Sequence, residues 1–117
     1  MNYTSVEQSK KLLELGLKAE SADMLYTWDT DNKTYYSLPI VDDKEHDFPS
    51  GLSCWSLAAL LSVLPEGVRL LKSANISSVG DVKYHCDFHR GTIDEWYDNP
   101  VDACVAMIEK LHELEML

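Results

Sequence analysis

The chain has 117 residues, 45% of them apolar and 26% charged, and its 20 acidic and 10 basic side chains leave a net charge of -10. That length suits one domain, since two separate cores would each be too small to persist, and the apolar content excludes a disordered chain. The basic residues are scattered singly apart from Lys10–Lys11, so the basic stripe that a nucleic-acid binder uses to displace counterions is missing.

No stretch reaches the ~20 apolar residues that span a bilayer, and Met1 to Ser5 lacks the basic and apolar regions of a secretory signal. A cytoplasmic protein with no membrane partner is expected. Cys54, Cys86 and Cys104 form no CxxC pair, and an odd number of thiols in unlike contexts predicts reduced, buried cysteines rather than a disulfide framework.

The first helix is predicted to start at Thr4 or Ser5, each with a capping-box partner three residues on (Glu7 or Gln8). Val6, Leu12 and Leu13 supply its apolar side. Gly16 ends it in the left-handed conformation, with Leu17 folding back on Leu12. A hairpin follows. Met24 to Trp28 and Thr34 to Leu38 are rich in strand formers, and Asp29 to Lys33 is the polar turn between them. Alternation places Met24, Tyr26 and Trp28 on one face. Pro39 weakens pairing beyond that point.

Residues 42–51 read as a loop that is acidic at Asp42, Asp43, Glu45 and Asp47. A second helix is expected from about Ser53, with Leu57, Leu60, Leu61 and Leu64 in helical period and Trp55 and Ala58 widening the apolar surface; Pro65 stops it. This helix is expected to be the most buried. Val68 to Leu71 reads as a short strand and Ser73 to Gly80 as a loop. Val82 to His89 alternates: Val82, Tyr84, Cys86 and Phe88 face the core, while Lys83, His85, Asp87 and His89 face water. Arg90-Gly91 is a turn, and Thr92 to Trp96 the returning strand. The last helix is marked by Asn99 as cap, Pro100 at its first position and Asp102 at its third. Its predicted stripe is Val101, Cys104, Val105, Ile108, Leu111 and His112. The expected architecture is a single two-layer α+β domain over residues 1–117, a small antiparallel sheet of three to five strands with about three helices packed on one face.

Three segments carry a resemblance. They are Glu7 to Leu17 with Ala22-Asp23-Met24, Trp55 to Leu61 with Leu64-Pro65, and Asn99 to Ala103 with Met107 to Leu111. In this order they resemble an uncharacterised family of short proteins from gut-dwelling anaerobic bacteria and their phages and mobile elements. The resemblance implies no activity, cofactor or catalytic residue. It does imply a host-interaction or phage-accessory role.

Two chemical patterns stand out. His85-x-Asp87-x-His89 puts two imidazoles and a carboxylate on one strand face, a donor set that suits zinc or another divalent transition metal, with His46 or Asp94 as a further ligand. The competing reading is a solvated polar face. Tyr26, Trp28, Tyr35 and Tyr36 gather aromatics in the first hairpin, next to the acidic loop. They either fill the core or form a contact surface for self-association or a basic protein partner. Cys54 at a helix start would have a lowered pKa if the helix dipole reached it. Ser56 lacks the G-x-S-x-G setting of an activated nucleophile, and no phosphate-binding glycine loop is present. No catalytic residue and no cofactor are predicted. The expected function is a non-enzymatic accessory protein acting through protein contacts; the alternative is metal binding at His85, Asp87 and His89.

Overall fold

Ser5 opens the first helix in the computed structural model, which describes residues 2–40, 51–74, 82–87 and 96–115. Of the two capping boxes written in the sequence, the Ser5–Gln8 pair forms. Ser5 Oγ accepts from the Gln8 N–H (3.1 Å), and Gln8 Oε1 accepts from the Ser5 N–H (2.9 Å). Helix α1 (Val6–Glu14) ends as predicted. Gly16 takes φ +101°, and the Leu17 N–H reaches back to the Leu12 carbonyl at 3.1 Å. A single 3-10 turn at Ala19–Ser21 then leads into the strands.

Strands β1 (Met24–Asp29) and β2 (Thr34–Pro39) form the predicted hairpin, with Trp28 opposite Tyr35 and Thr27 opposite Tyr36. The Asp29 carboxylate closes the turn by accepting from the N–H groups of Asp31 (3.0 Å) and Asn32 (3.4 Å) and from the Asn32 side chain (2.7 Å). These bonds, led by that of the Asn32 side chain, hold its pKa below the ordinary value.

The next segment departs from expectation. Leu52–Cys54 is a strand, β3, paired antiparallel to Met24–Tyr26, so Ser53 caps nothing. Helix α2 (Leu57–Val63) starts later, with Ser56 as its cap. Ser56 Oγ accepts from the Ala59 N–H (3.2 Å) and donates to Asp23 (2.5 Å). Trp55 therefore lies between strand and helix, and Leu61 faces outward.

Strands β4 (Arg69–Ala74) and β5 (Val82–Asp87) pair antiparallel. The α+β class stands, but the strands divide into two sheets, β2-β1-β3 and β4-β5. The predicted turn at Arg90-Gly91 and residues 92–95 of the predicted return strand lie outside the described residues. Just past them, Tyr97 makes a two-bond bridge with Tyr84 (2.7 and 2.8 Å).

Helix α3 (Pro100–Glu113) begins where the Asn99 side chain accepts from the Val101 N–H (2.7 Å). It is α3, not α2, that supplies more of the core than any other element: Val101, Ala103, Cys104, Val105, Met107, Ile108 and Leu111 are all buried. The helix packs against β5 and β4, against α2 and against α1. With neighbours on several sides its buried arc widens to include Ala103 and Met107, while His112 in the last turn stays exposed. Leu12, Ala22, Trp55, Leu60 and Cys86 complete one continuous apolar cluster with it. Gln8 Nε2 donates to Asp102 Oδ1 at 2.7 Å, tying α1 to the first turn of α3.

Candidate interaction surface

The root of the first hairpin is fixed by a buried polar knot. Thr4 is fully buried; its Oγ1 lies 2.8 Å from Ser9 Oγ and accepts from the Trp55 N–H at 3.1 Å. The Thr4 carbonyl accepts from the Tyr26 hydroxyl at 2.6 Å and from the Cys54 thiol at 3.5 Å. Thr4 was expected to compete with Ser5 as a cap; it instead holds the N-terminal segment against β1 and β3. Beside it, Trp55 Nε1 donates to Ser21 Oγ (2.9 Å), and the Ser56 N–H donates to Asp23 (2.9 Å). Ser56 is thus a helix cap and an anchor for Asp23.

From this knot an aromatic run crosses one face of the sheet. Tyr3 and Tyr26 meet edge-on at 6.2 Å, Tyr26 and Tyr35 at 6.2 Å, and Tyr35 and Trp28 at 4.9 Å. The run passes from core to solvent. Tyr26 is 6% exposed, whereas Trp28 is 43% and Tyr35 36% exposed. Tyr26, read from sequence as part of the contact surface, therefore belongs to the core, because residues 3 and 4 cover it. Trp28, Tyr35 and Tyr36 are accessible as the contact reading requires, and Leu38 joins Tyr36 on the opposite face. Asp42, Asp43, Glu45, His46 and Asp47 lie outside the described residues.

The edge of β2 adds a feature the sequence reading missed. The Ile40 N–H bonds to the Asp23 carbonyl at 2.9 Å. With the observed register, this directs the backbone groups of Thr34, Tyr36 and Leu38 toward β1. The N–H and C=O groups of Tyr35 and Ser37 and the carbonyl of Pro39 then point along the outer edge. Among the described residues no strand lies beyond β2. Edge strands are ordinarily blunted with charge, and Thr34–Pro39 has none. That lack of charge was the available signal.

The second chemical pattern meets a different environment. His85 and Asp87 do share a strand face opposite Cys86, but that face is not solvated at His85. The ring is 7% exposed, because Trp96 stacks on it at 4.8 Å with 28° between the planes. Asp87 pairs with Arg69 at 2.6 Å. Phe88, His89, Asp94 and Glu95 lie outside the described residues. Among the described residues no group of three His, Cys, Asp or Glu is placed to hold a metal ion. Lys83 pairs with Asp98.

Cys54 is a buried free thiol as expected, but its place in the fold differs. It ends β3 rather than starting a helix, and burial pushes its thiol pKa up. Tyr26 is raised further, by burial first and then by its contact with Cys54. Both groups keep their protons in the folded protein at pH values where the unfolded chain loses them, so the sign follows directly. The contribution of these two groups is constant with pH below about 7.5, starts to fall as the ordinary thiol ionises around 8.5, and falls more steeply above about 10, where the ordinary phenol ionises. Urea midpoints measured from neutral to strongly alkaline pH should show this decline, and Tyr26→Phe should make it shallower.

Fold and surface together define a small α+β protein with a buried polar knot at the root of a solvent-facing aromatic hairpin. No protein-family model, curated protein or solved structure matches the chain. Among the described residues no helix is long and apolar enough to cross a membrane.

Proposed function

We propose that the chain is a non-enzymatic cytoplasmic accessory protein that acts through protein contacts, and that the β1–β2 hairpin is its contact element. The observation that carries this reading is β2 itself, an uncharged strand with Tyr35 exposed on one face, Tyr36 and Leu38 on the other, and hydrogen-bonding groups along its outer edge. An extended segment of a partner adds to such an edge through main-chain bonds, and side chains above and below the sheet set its specificity. Exposed tryptophan and tyrosine supply large contact area at low entropic cost. The net charge of -10 favours a basic partner over a second copy of the chain, because like charges repel. An origin in a phage or mobile element rests on the sequence resemblance. No observation favours the metal reading, since His85 and Asp87 are engaged with Trp96 and Arg69.

Ser37→Pro provides the test. The Ser37 N–H faces the outer edge, so proline there removes an edge donor while leaving the β1 ladder bonds in place. Sedimentation of the full chain, alone and with partners captured from the native host, should show association that Ser37→Pro or Trp28→Ala weakens about tenfold or more, the loss of a hot-spot contact, with an unchanged circular dichroism spectrum. A lone monomer that retains nothing, or association indifferent to both substitutions, would sink the proposal.

A further inference from the structure

The core places two thiols in contact. Cys86 Sγ on β5 and Cys104 Sγ on α3 are 4.0 Å apart and 18 residues apart in the chain, and both side chains are buried. We propose that these residues form an oxidisable dithiol, which a hydroperoxide converts into a Cys86–Cys104 disulfide joining the β4–β5 sheet to α3.

The geometry requires little movement. A disulfide bond is about 2.05 Å long, so the sulfurs, now 4.0 Å apart, must close by about 2 Å. Access comes from the sheet. Among the described residues β4 and β5 form a two-stranded pair, bridged through Tyr84 to Tyr97, and its outer strand β4 exposes Arg69, Leu71 and Lys72. Two-stranded pairs are marginal alone and open locally more readily than a core helix. Opening uncovers Cys86, the thiol on the sheet side.

The order of reaction follows from access, since Cys86 is the thiol that opening of the sheet uncovers, and the direction of the shifts at the two sulfurs agrees with it. The neighbouring Cys104 thiol favours the Cys86 thiolate, whereas contact with Cys86 and burial keep Cys104 protonated. Cys86 is the attacking group. Its thiolate sulfur attacks one oxygen of the hydroperoxide, an S–O bond forms, the O–O bond breaks, and the departing oxyanion takes up a proton. Cys104 then attacks the resulting sulfenic sulfur and gives up its proton. The S–S bond forms, the S–O bond breaks, and water leaves. Two thiols surrender two electrons and two hydrogens; with hydrogen peroxide the products are the disulfide and two waters. Cys54 takes no part, as it sits in the polar knot against Thr4 on the other sheet.

The test uses the full chain treated with hydrogen peroxide. Intact mass should fall by about 2 Da, the loss of two hydrogens in disulfide formation. Peptide mapping under non-reducing conditions should find Cys86 joined to Cys104 and Cys54 still open to alkylation. The oxidised protein should melt several degrees higher, and reduction should reverse both changes. Cys54→Ala should cross-link as the wild type does. Cys104→Ser, which keeps a donor beside Cys86, should not, and should leave a sulfenic acid at Cys86 that dimedone traps. The wild-type mapping needs no variant to fold. Three alkylatable thiols after treatment, a link through Cys54, or an intermolecular link would overturn the proposal. A correct link with an unchanged or lowered melting temperature would overturn its role in joining sheet to helix.

Discussion

Trp55→Ala should remove about 3–5 kcal/mol of stability, the range for deleting a large aromatic from a packed core. Small domains are stable by only about 5–15 kcal/mol, so the variant should lose at least about a fifth of the total. Trp55 is fully buried, and it sits where three elements converge. Its N–H bonds to Thr4 after β3, its ring enters the cluster made by α1, α2 and α3, and Nε1 donates to Ser21 at the 3-10 turn. Alanine leaves a cavity and removes the donor to Ser21 Oγ, whose own bond to the Lys18 carbonyl (2.6 Å) remains. Trp55→Phe, which retains a ring but loses volume and the Nε1 donor, should fall between. Trp28→Ala is the control. Trp28 is half-exposed at the hairpin end, so its loss should change stability by less than about 1 kcal/mol. Urea titration followed by far-ultraviolet circular dichroism reads all three without depending on the tryptophans. Equal costs at positions 28 and 55 would contradict the division of the hairpin into an anchored root and a solvent-facing end.

That division shows how far the sequence could be read. Ser5–Gln8, Gly16, the Asp29–Lys33 turn and Asn99-Pro100 were legible because each is a local device whose chemistry lies within five residues. The first and last helices and the hairpin followed from them, while α2 followed from its leucine period and Pro65, with its start placed too early. Strand β3 was not legible. Leu52, Ser53 and Cys54 precede a leucine period that reads as helix, and only pairing with Met24 to Tyr26 makes them a strand. Alternation correctly put Tyr26 and Trp28 on one face, yet could not say that Tyr3 and Thr4 would cover the first and leave the second in water. The same limit applies at β5. The face of His85 was read correctly, but its covering by Trp96, a residue from outside that strand, has no signature in a period of two. Periodicity assigns sides; it does not say which sides are covered from elsewhere in the chain. Hence the candidate site was half legible: Trp28, Tyr35 and Tyr36 by residue type, and the position of β2 at the outer edge among the described strands only once strand order was known.

The polar knot that anchors the hairpin root makes the second large prediction. Thr4→Val keeps the shape of the side chain and removes its hydroxyl, so any loss comes from hydrogen bonding rather than from a cavity. In the variant the buried Trp55 N–H loses the acceptor it now finds at 3.1 Å, and Ser9 Oγ loses the partner at 2.8 Å. A buried polar group left without a partner costs about 1–3 kcal/mol, and two are stranded at once, so a loss of about 2–4 kcal/mol is expected, at the upper end of single-substitution effects. Thr4→Ser keeps the hydroxyl and loses a methyl group, worth about 1 kcal/mol. The ranking is therefore wild type, then Thr4→Ser, then Thr4→Val, read as urea midpoints. Ser9→Ala in the Thr4→Val background should cost less than Ser9→Ala alone, because one of the stranded groups has then been removed. The knot also holds the Tyr26 hydroxyl through the Thr4 carbonyl, so Thr4→Val should speed amide exchange in β1 before global unfolding. If Thr4→Val were as stable as Thr4→Ser, the Thr4 hydroxyl would not be what holds the N-terminal segment, and the hairpin root would have to be held by the backbone bonds of Thr4 to Trp55 and Tyr26 together with apolar packing.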